Sequence, residues 1–96
     1  MKSKTLLESK KQDIFETAAR HGALNIRIFG SVARGDDDEN SDIDFLVELE
    51  PGRSLLDLGG LQTELQKLLG RPVDVITVNG LKERIREQVI REVISL

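Results

Sequence analysis

The stretch Ser41-Asp42-Ile43-Asp44-Phe45-Leu46-Val47-Glu48-Leu49 decides the fold, because Ile43, Phe45, Val47 and Leu49 recur with the two-residue period of a β-strand. Two aspartates stand at its head. Side chains two apart on a strand share a face, so Asp42 and Asp44 point the same way. Like charges on one face of a half-buried sheet repel and lose hydration unless a cation or hydrogen-bond donors compensate. Pro51-Gly52 stops the strand.

Upstream, Leu24, Ile26 and Ile28 alternate with Asn25 and Arg27, which predicts a strand from Leu24 to Phe29 that ends at Gly30-Ser31. Between the two strands, residues Gly35 to Ser41 are polar and acidic and predict a loop. Leu6, Leu7, Ile14, Phe15, Ala18 and Ala19 fall at helical intervals and predict one amphipathic helix from Lys2 to Arg20, stopped by His21-Gly22. Downstream, Ser54 caps a helix carrying Leu55, Leu58, Leu61, Leu65, Leu68 and Leu69, with Gly70 at its C-terminal cap. Gly59-Gly60 weakens that helix by about 1 kcal/mol per glycine and opens the option of a break. Pro72 to Val78 predicts a third strand closed by the turn Asn79-Gly80. Leu81, Ile85, Val89 and Val93, joined by Ile90 and Ile94, predict a last helix. The order is helix, strand, strand, helix, strand, helix, an α/β arrangement with no repeat and no linker.

The bulk numbers bound the function. With 96 residues and 39% hydrophobic content, the expectation is a single domain spanning 1–96. Such a chain has little room for a separate substrate-binding module. The absence of cysteine excludes disulfides and thiolate metal sites. No stretch approaches the ~20 apolar residues of a membrane span, and no apolar N-terminal run suggests a signal peptide, so a soluble cytoplasmic protein is expected. A net charge of −3 and 3% aromatic content argue against a dedicated nucleic-acid binder.

Asp74 is the second anomaly, a carboxylate inside the apolar run Val73-Asp74-Val75-Ile76. If its strand pairs beside the strand of Asp42 and Asp44, three carboxylates converge as in two-cation sites for phosphoryl and nucleotidyl transfer. Magnesium suits them, since it prefers oxygen ligands and substrate phosphates. Sequence order alone does not establish that pairing. Gly30-Ser31 follows a strand directly and opens the segment Val32-Ala33-Arg34, a turn whose amides attract phosphate, with Gly30 allowing close approach.

Taken together, Gly30-Ser31-Val32-Ala33-Arg34-Gly35, Ser41-Asp42-Ile43-Asp44 with Val47, and Asp74 on a later strand resemble the minimal nucleotidyltransferase (MNT) family of the polymerase-β-like superfamily. The resemblance covers about residues 24 to 78. It implies a small mixed sheet flanked by helices, two Mg2+ ions on Asp42, Asp44 and Asp74, and a triphosphate held by Gly30 and Ser31. Asp74 is implied as a ligand and candidate general base. Many family members are antitoxins encoded beside a helical HEPN-domain toxin, and some transfer AMP from ATP to a tyrosine of that toxin. The resemblance thus implies an antitoxin of this kind, with the HEPN toxin and ATP as partners.

Plainer roles compete for the same residues. Asp42 and Asp44 also suit a solvent-facing strand edge, and Asp74 also suits an ion pair with Arg71. Ser31 also suits a simple cap. Arg34 divides between phosphate or acceptor and the acidic loop. The run Asp36-Asp37-Asp38-Glu39 is expected as a solvated loop, and His21, the single histidine, as structural. Two other functions use the same features: an antitoxin that only occludes its toxin, and nucleotidyl transfer to a small molecule. The latter normally needs a further domain. Acceptor and oligomeric state, including a homo-oligomer, stay open.

Overall fold

The computed structural model describes residues 3–81 and 83–96. Two helices, α1 (Ser3–Ser9) and α2 (Lys11–Arg20), stand where one was expected, and Lys2 lies outside the described residues. The break has a local cause. The Ser9 hydroxyl donates to the Leu6 carbonyl at 2.8 Å, competing with the helical ladder, and Lys10 adopts φ −109°, ψ 10°.

Strand β1 (Ala23–Phe29) pairs antiparallel with β2 (Ile43–Leu49), and their register slips between Leu24 and Arg27. Asn25 takes φ 52° at this bulge. The slip overturns the expected face of Leu24: Ala23 is buried with Ile26 and Ile28, whereas Leu24 is 48% exposed. Helix α3 (Gly30–Arg34) follows β1 directly and ends at Gly35.

Helix α4 (Leu55–Leu69) runs unbroken through Gly59-Gly60. Its start is fixed by a reciprocal cap, Leu56 N–H donating to Ser54 Oγ at 3.2 Å and Ser54 N–H to Asp57 Oδ2 at 2.9 Å. Gly60 has a packing role, since a Cβ there would meet the His21 ring at 2.9 Å. His21 Nε2 in turn lies 2.8 Å from Glu64 Oε2, joining α2 to α4 as a structural contact. Leu55 and Leu56 project into solvent.

The crossover through α4 returns the chain as β3 (Val73–Thr77), parallel to β2, as a helical connection permits. Val78–Gly80 forms a 3-10 turn rather than extending the strand, because the Thr77 hydroxyl accepts from Gly80 N–H. Helix α5 (Glu83–Glu92) is shorter than expected, and Ile94 leaves it for β4 (Ile94–Ser95), which pairs antiparallel with β1. The sheet is mixed, in the order β3-β2-β1-β4.

Two cores lie on its two faces. Ile28, Ile43, Phe45, Val47, Val73 and Val75 pack with Leu7, Ile14, Leu61 and Leu65 of α1, α2 and α4. Phe29, Leu46, Leu81 and Val89 form the smaller core beneath α5, with Ile76 and Val93 against it. Phe45, Leu46 and Val47 are fully buried in succession, the mark of a strand covered on both faces. Among the described residues no helix is long and apolar enough to cross a membrane.

Candidate active site

The parallel ladder sets Asp44 opposite Asp74, between the buried pairs Ile43/Val73 and Phe45/Val75. Neighbouring strands lie about 4.8 Å apart and paired residues share a face. Since the flanking pairs enter the larger core, both aspartates point to the other face, beyond the end of the smaller core. Asp42 stands one residue before β2, exposed like Asp74, while Asp44 is half-buried. The pairing that sequence order left open is thus present, and it comes from the β2-α4-β3 crossover.

The antiparallel ladder adds Gly30. Phe29 pairs with Asp44, and the next residue turns the chain at φ 73° over that carboxylate. A Cβ on Gly30 would overlap Asp44 Oδ2 and lie 3.3 Å from its Cγ. Glycine is required there twice, by the left-handed backbone and by the carboxylate beneath it. Ser31 follows in the first turn of α3, half-buried beside it.

The electrostatics single out Asp44. Partial burial, then the charge of Asp74 and then that of Asp42, push its pKa from 3.8 up to about 6, against the opposing pull of Arg34. Among the described residues no three carboxylate or imidazole side chains converge at metal-ligating distance. The donor set fits a hard divalent cation: carboxylate oxygens on one face, like charges that Arg34 only partly offsets, and a glycine keeping the space above Asp44 free of side chain.

Arg34 reaches carboxylates, its Nε 3.2 Å from Asp36 Oδ2 and a terminal nitrogen 3.1 Å from Glu92 Oε2 of α5. The Asp36 hydrogen bond and charge raise its pKa further. Arg71 does not serve Asp74. Its guanidinium donates to the Ser3 hydroxyl at 2.9 Å and to the carbonyls of Asp38 and Ser41. Residues 36–41 form the expected loop, with only Asp37 and Ser41 partly buried. A hydrogen bond from Ser3 holds the Asp37 pKa below the usual carboxylate value. Sequence reasoning missed Glu92 and the true partners of Arg71. A basic residue just before a strand-opening proline was the only signal for the latter. A groove of about 620 Å³ between Leu24, Glu48, Arg53, Leu55 and Asn79 opens toward the C-terminal end of β2 and does not include the aspartates.

Comparison with known proteins places this geometry. Residues 10–96 match the family model described as a nucleotidyltransferase domain. The chain belongs to the nucleotidyltransferase family. The nucleotidyltransferase is 41% identical over 86 residues to "Putative protein adenylyltransferase MJ0435" of Methanocaldococcus jannaschii, covering 90% of this chain and 92% of that one. It is 39% identical to "Protein adenylyltransferase MntA" of Thermococcus cleftensis, covering 94% and 88%. A solved "putative minimal nucleotidyltransferase" shares 48% identity at a TM-score of 0.87, covering 100% of this chain and 97% of the other. A second solved structure, a toxin-antitoxin with AMP-PNP, shares the fold at a TM-score of 0.76 and 22% identity, covering 88% and 70%. The chain is therefore a transferase enzyme with a nucleotide substrate, and its mixed sheet flanked by helices is the minimal nucleotidyltransferase fold.

Proposed function

We propose that this nucleotidyltransferase acts as one domain that moves AMP from ATP to a hydroxyl of a partner protein, a tyrosine on a helical HEPN-domain toxin, and thereby serves as its antitoxin. The observation that carries the reading is the register of Asp44 with Asp74 beneath Gly30, which gathers acidic oxygens and an open backbone turn on one face. The names of the relatives support a protein acceptor over a small molecule, and the toxin-antitoxin structure with AMP-PNP supports both the partner class and the nucleotide. The chain contains no tyrosine, so a tyrosyl acceptor must belong to another molecule.

Asp42, Asp44 and Asp74 would hold two magnesium ions, which, when bound, neutralise phosphate charge and lower the pKa of the attacking hydroxyl. The chain's own residues do the placing. Gly30 and Ser31 receive the triphosphate at the half-buried start of α3, and Arg34 lies at the end of the same short helix, where it can exchange Asp36 for a phosphate oxygen. Asp74 lies exposed on the edge strand β3, where it can accept the acceptor proton. The acceptor oxygen bonds to the α-phosphorus, the bond from that phosphorus to pyrophosphate breaks, and pyrophosphate leaves with its electron pair.

Incubating chain, toxin, ATP and magnesium and weighing the toxin by mass spectrometry tests this. The expected result is a toxin heavier by one AMP with wild type and unmodified with Asp44→Ala; an unmodified toxin with both would overturn the transfer. A second reading, inhibition by occlusion, is favoured by Ile85 and Ile90, which α5 leaves 42% and 46% exposed. Growth rescue by the Asp42→Ala, Asp44→Ala double variant would favour it.

A further inference from the structure

Just ahead of the carboxylates lies a turn that a single guanidinium ties to the rest of the fold. Asp38 through Ser41 closes on itself: Ser41 N–H donates to the Asp38 carbonyl at 3.2 Å, Asn40 N–H to Asp38 Oδ1 at 2.8 Å, and Asp38 N–H to Ser41 Oγ at 2.9 Å. The Ser41 hydroxyl lies 3.2 Å from Asp38 Oδ1, closing the ring. Arg71 then reaches the carbonyls at both ends of this turn with one terminal nitrogen, and the Ser3 hydroxyl with the other. Ser3 is itself buried.

We propose that Arg71 is a positioning residue, its guanidinium clamping the Asp38–Ser41 turn to α1 and to the entry of β3 so that Asp42 leaves the turn facing Asp44 and Asp74. The inference rests on those three aspartates being the cation site. Position supplies the logic. Asp42 is the residue immediately after the clamped turn, outside the β2 ladder, so no strand pairing fixes it. Arg71 lies three residues before Asp74 and one before Pro72, whose carbonyl accepts from Ile43 N–H at 3.0 Å. One side chain therefore ties the approach to Asp42 to the strand that carries Asp74.

The burial of the Arg71 Nε supports this role over that of a solvated charge. Its Nε is buried with no hydrogen-bond partner among the described residues, a cost that an arginine free to swing outward would not bear. Lysine cannot replace it, because an ammonium on a flexible stem lacks the planar fork that spans separate acceptors.

The test is a magnesium titration read without turnover, as the rise in melting temperature on binding, alongside transfer kinetics well below the melting temperature. Arg71→Lys is expected to raise the half-saturating magnesium concentration about tenfold, with faster hydrogen exchange at residues 38–42. Asp38→Ala, which opens the same turn from an exposed side chain, is expected to weaken magnesium in the same way. Asp38→Asn keeps the acceptor oxygen and should restore it. If Arg71→Lys does not fold, the Asp38 pair decides. Unchanged magnesium binding in folded Arg71→Lys, or in Asp38→Ala, overturns the positioning role while leaving the aspartate site standing. A wild type that binds no magnesium, with Asp44→Ala indistinguishable from it, overturns both.

Discussion

Replacing Asp44 by Asn should make the magnesium-free protein more stable and inactive together, and the gain should depend on pH. Burial and the charges of Asp74 and Asp42 lift the folded pKa of Asp44 to about 6 from 3.8. An acid whose pKa is raised on folding stabilises the fold fully below its unfolded pKa, and that contribution is lost as pH rises through the folded value. The window is therefore pH 4 to 6. Two pH units correspond to about 3 kcal/mol, and the half-exposure of the group reduces the expected effect to about 1 kcal/mol. Asparagine carries no charge at any pH. Melting curves in chelator should show the variant close to wild type at pH 4 and higher by about 4 to 8 °C at pH 8, the shift expected per kcal/mol for a domain of this size. Magnesium should raise the wild type and leave the variant nearly unmoved. A variant less stable than wild type at pH 8, or equally stabilised at both pH values, would refute the electrostatic reasoning.

Gly30→Ala should lower stability by about 1 to 2 kcal/mol, the cost of a side chain in the left-handed conformation, and should abolish transfer, because the new methyl displaces the Asp44 carboxylate; transfer kinetics and thermal melts would show it. Ser54→Ala removes the α4 cap and should cost about 1 kcal/mol in thermal or denaturant unfolding. Its transfer rate below the melting temperature should stay at the wild-type level, since the cap lies at the far end of β2 from Asp44.

Much of this architecture could be read from the residues because the informative positions contradict their surroundings. Asp44 and Asp74 interrupt apolar strands, so their placement needed a reason from the sequence alone, while the parallel pairing that brings them together was left open. The departures are competing contacts that periodicity does not see. Ser9 turns its hydroxyl onto the Leu6 carbonyl and divides a helix that the apolar spacing ran together. Asn25 absorbs a bulge that moves Leu24 to solvent although its alternation with Ile26 was regular. Ile94 fits the helical spacing of α5, yet it pairs with Ile28 in a strand of two residues, too short to leave any pattern. Gly59-Gly60 did not break α4, because the capping box fixes its start and Leu61, Leu65 and Leu69 are buried along its length. The partners of Arg71 are backbone carbonyls, which every residue possesses, so sequence could not name them.

Crystals grown with manganese and a non-hydrolysable ATP analogue would test the heart of the matter through anomalous scattering. Two peaks about 3.5 to 4 Å apart, ligated by Asp42, Asp44 and Asp74 with phosphate oxygens next to Gly30, are the expected result. Manganese bound elsewhere, or an Asp74 carboxylate turned away from the other two while nucleotide is bound, would contradict it.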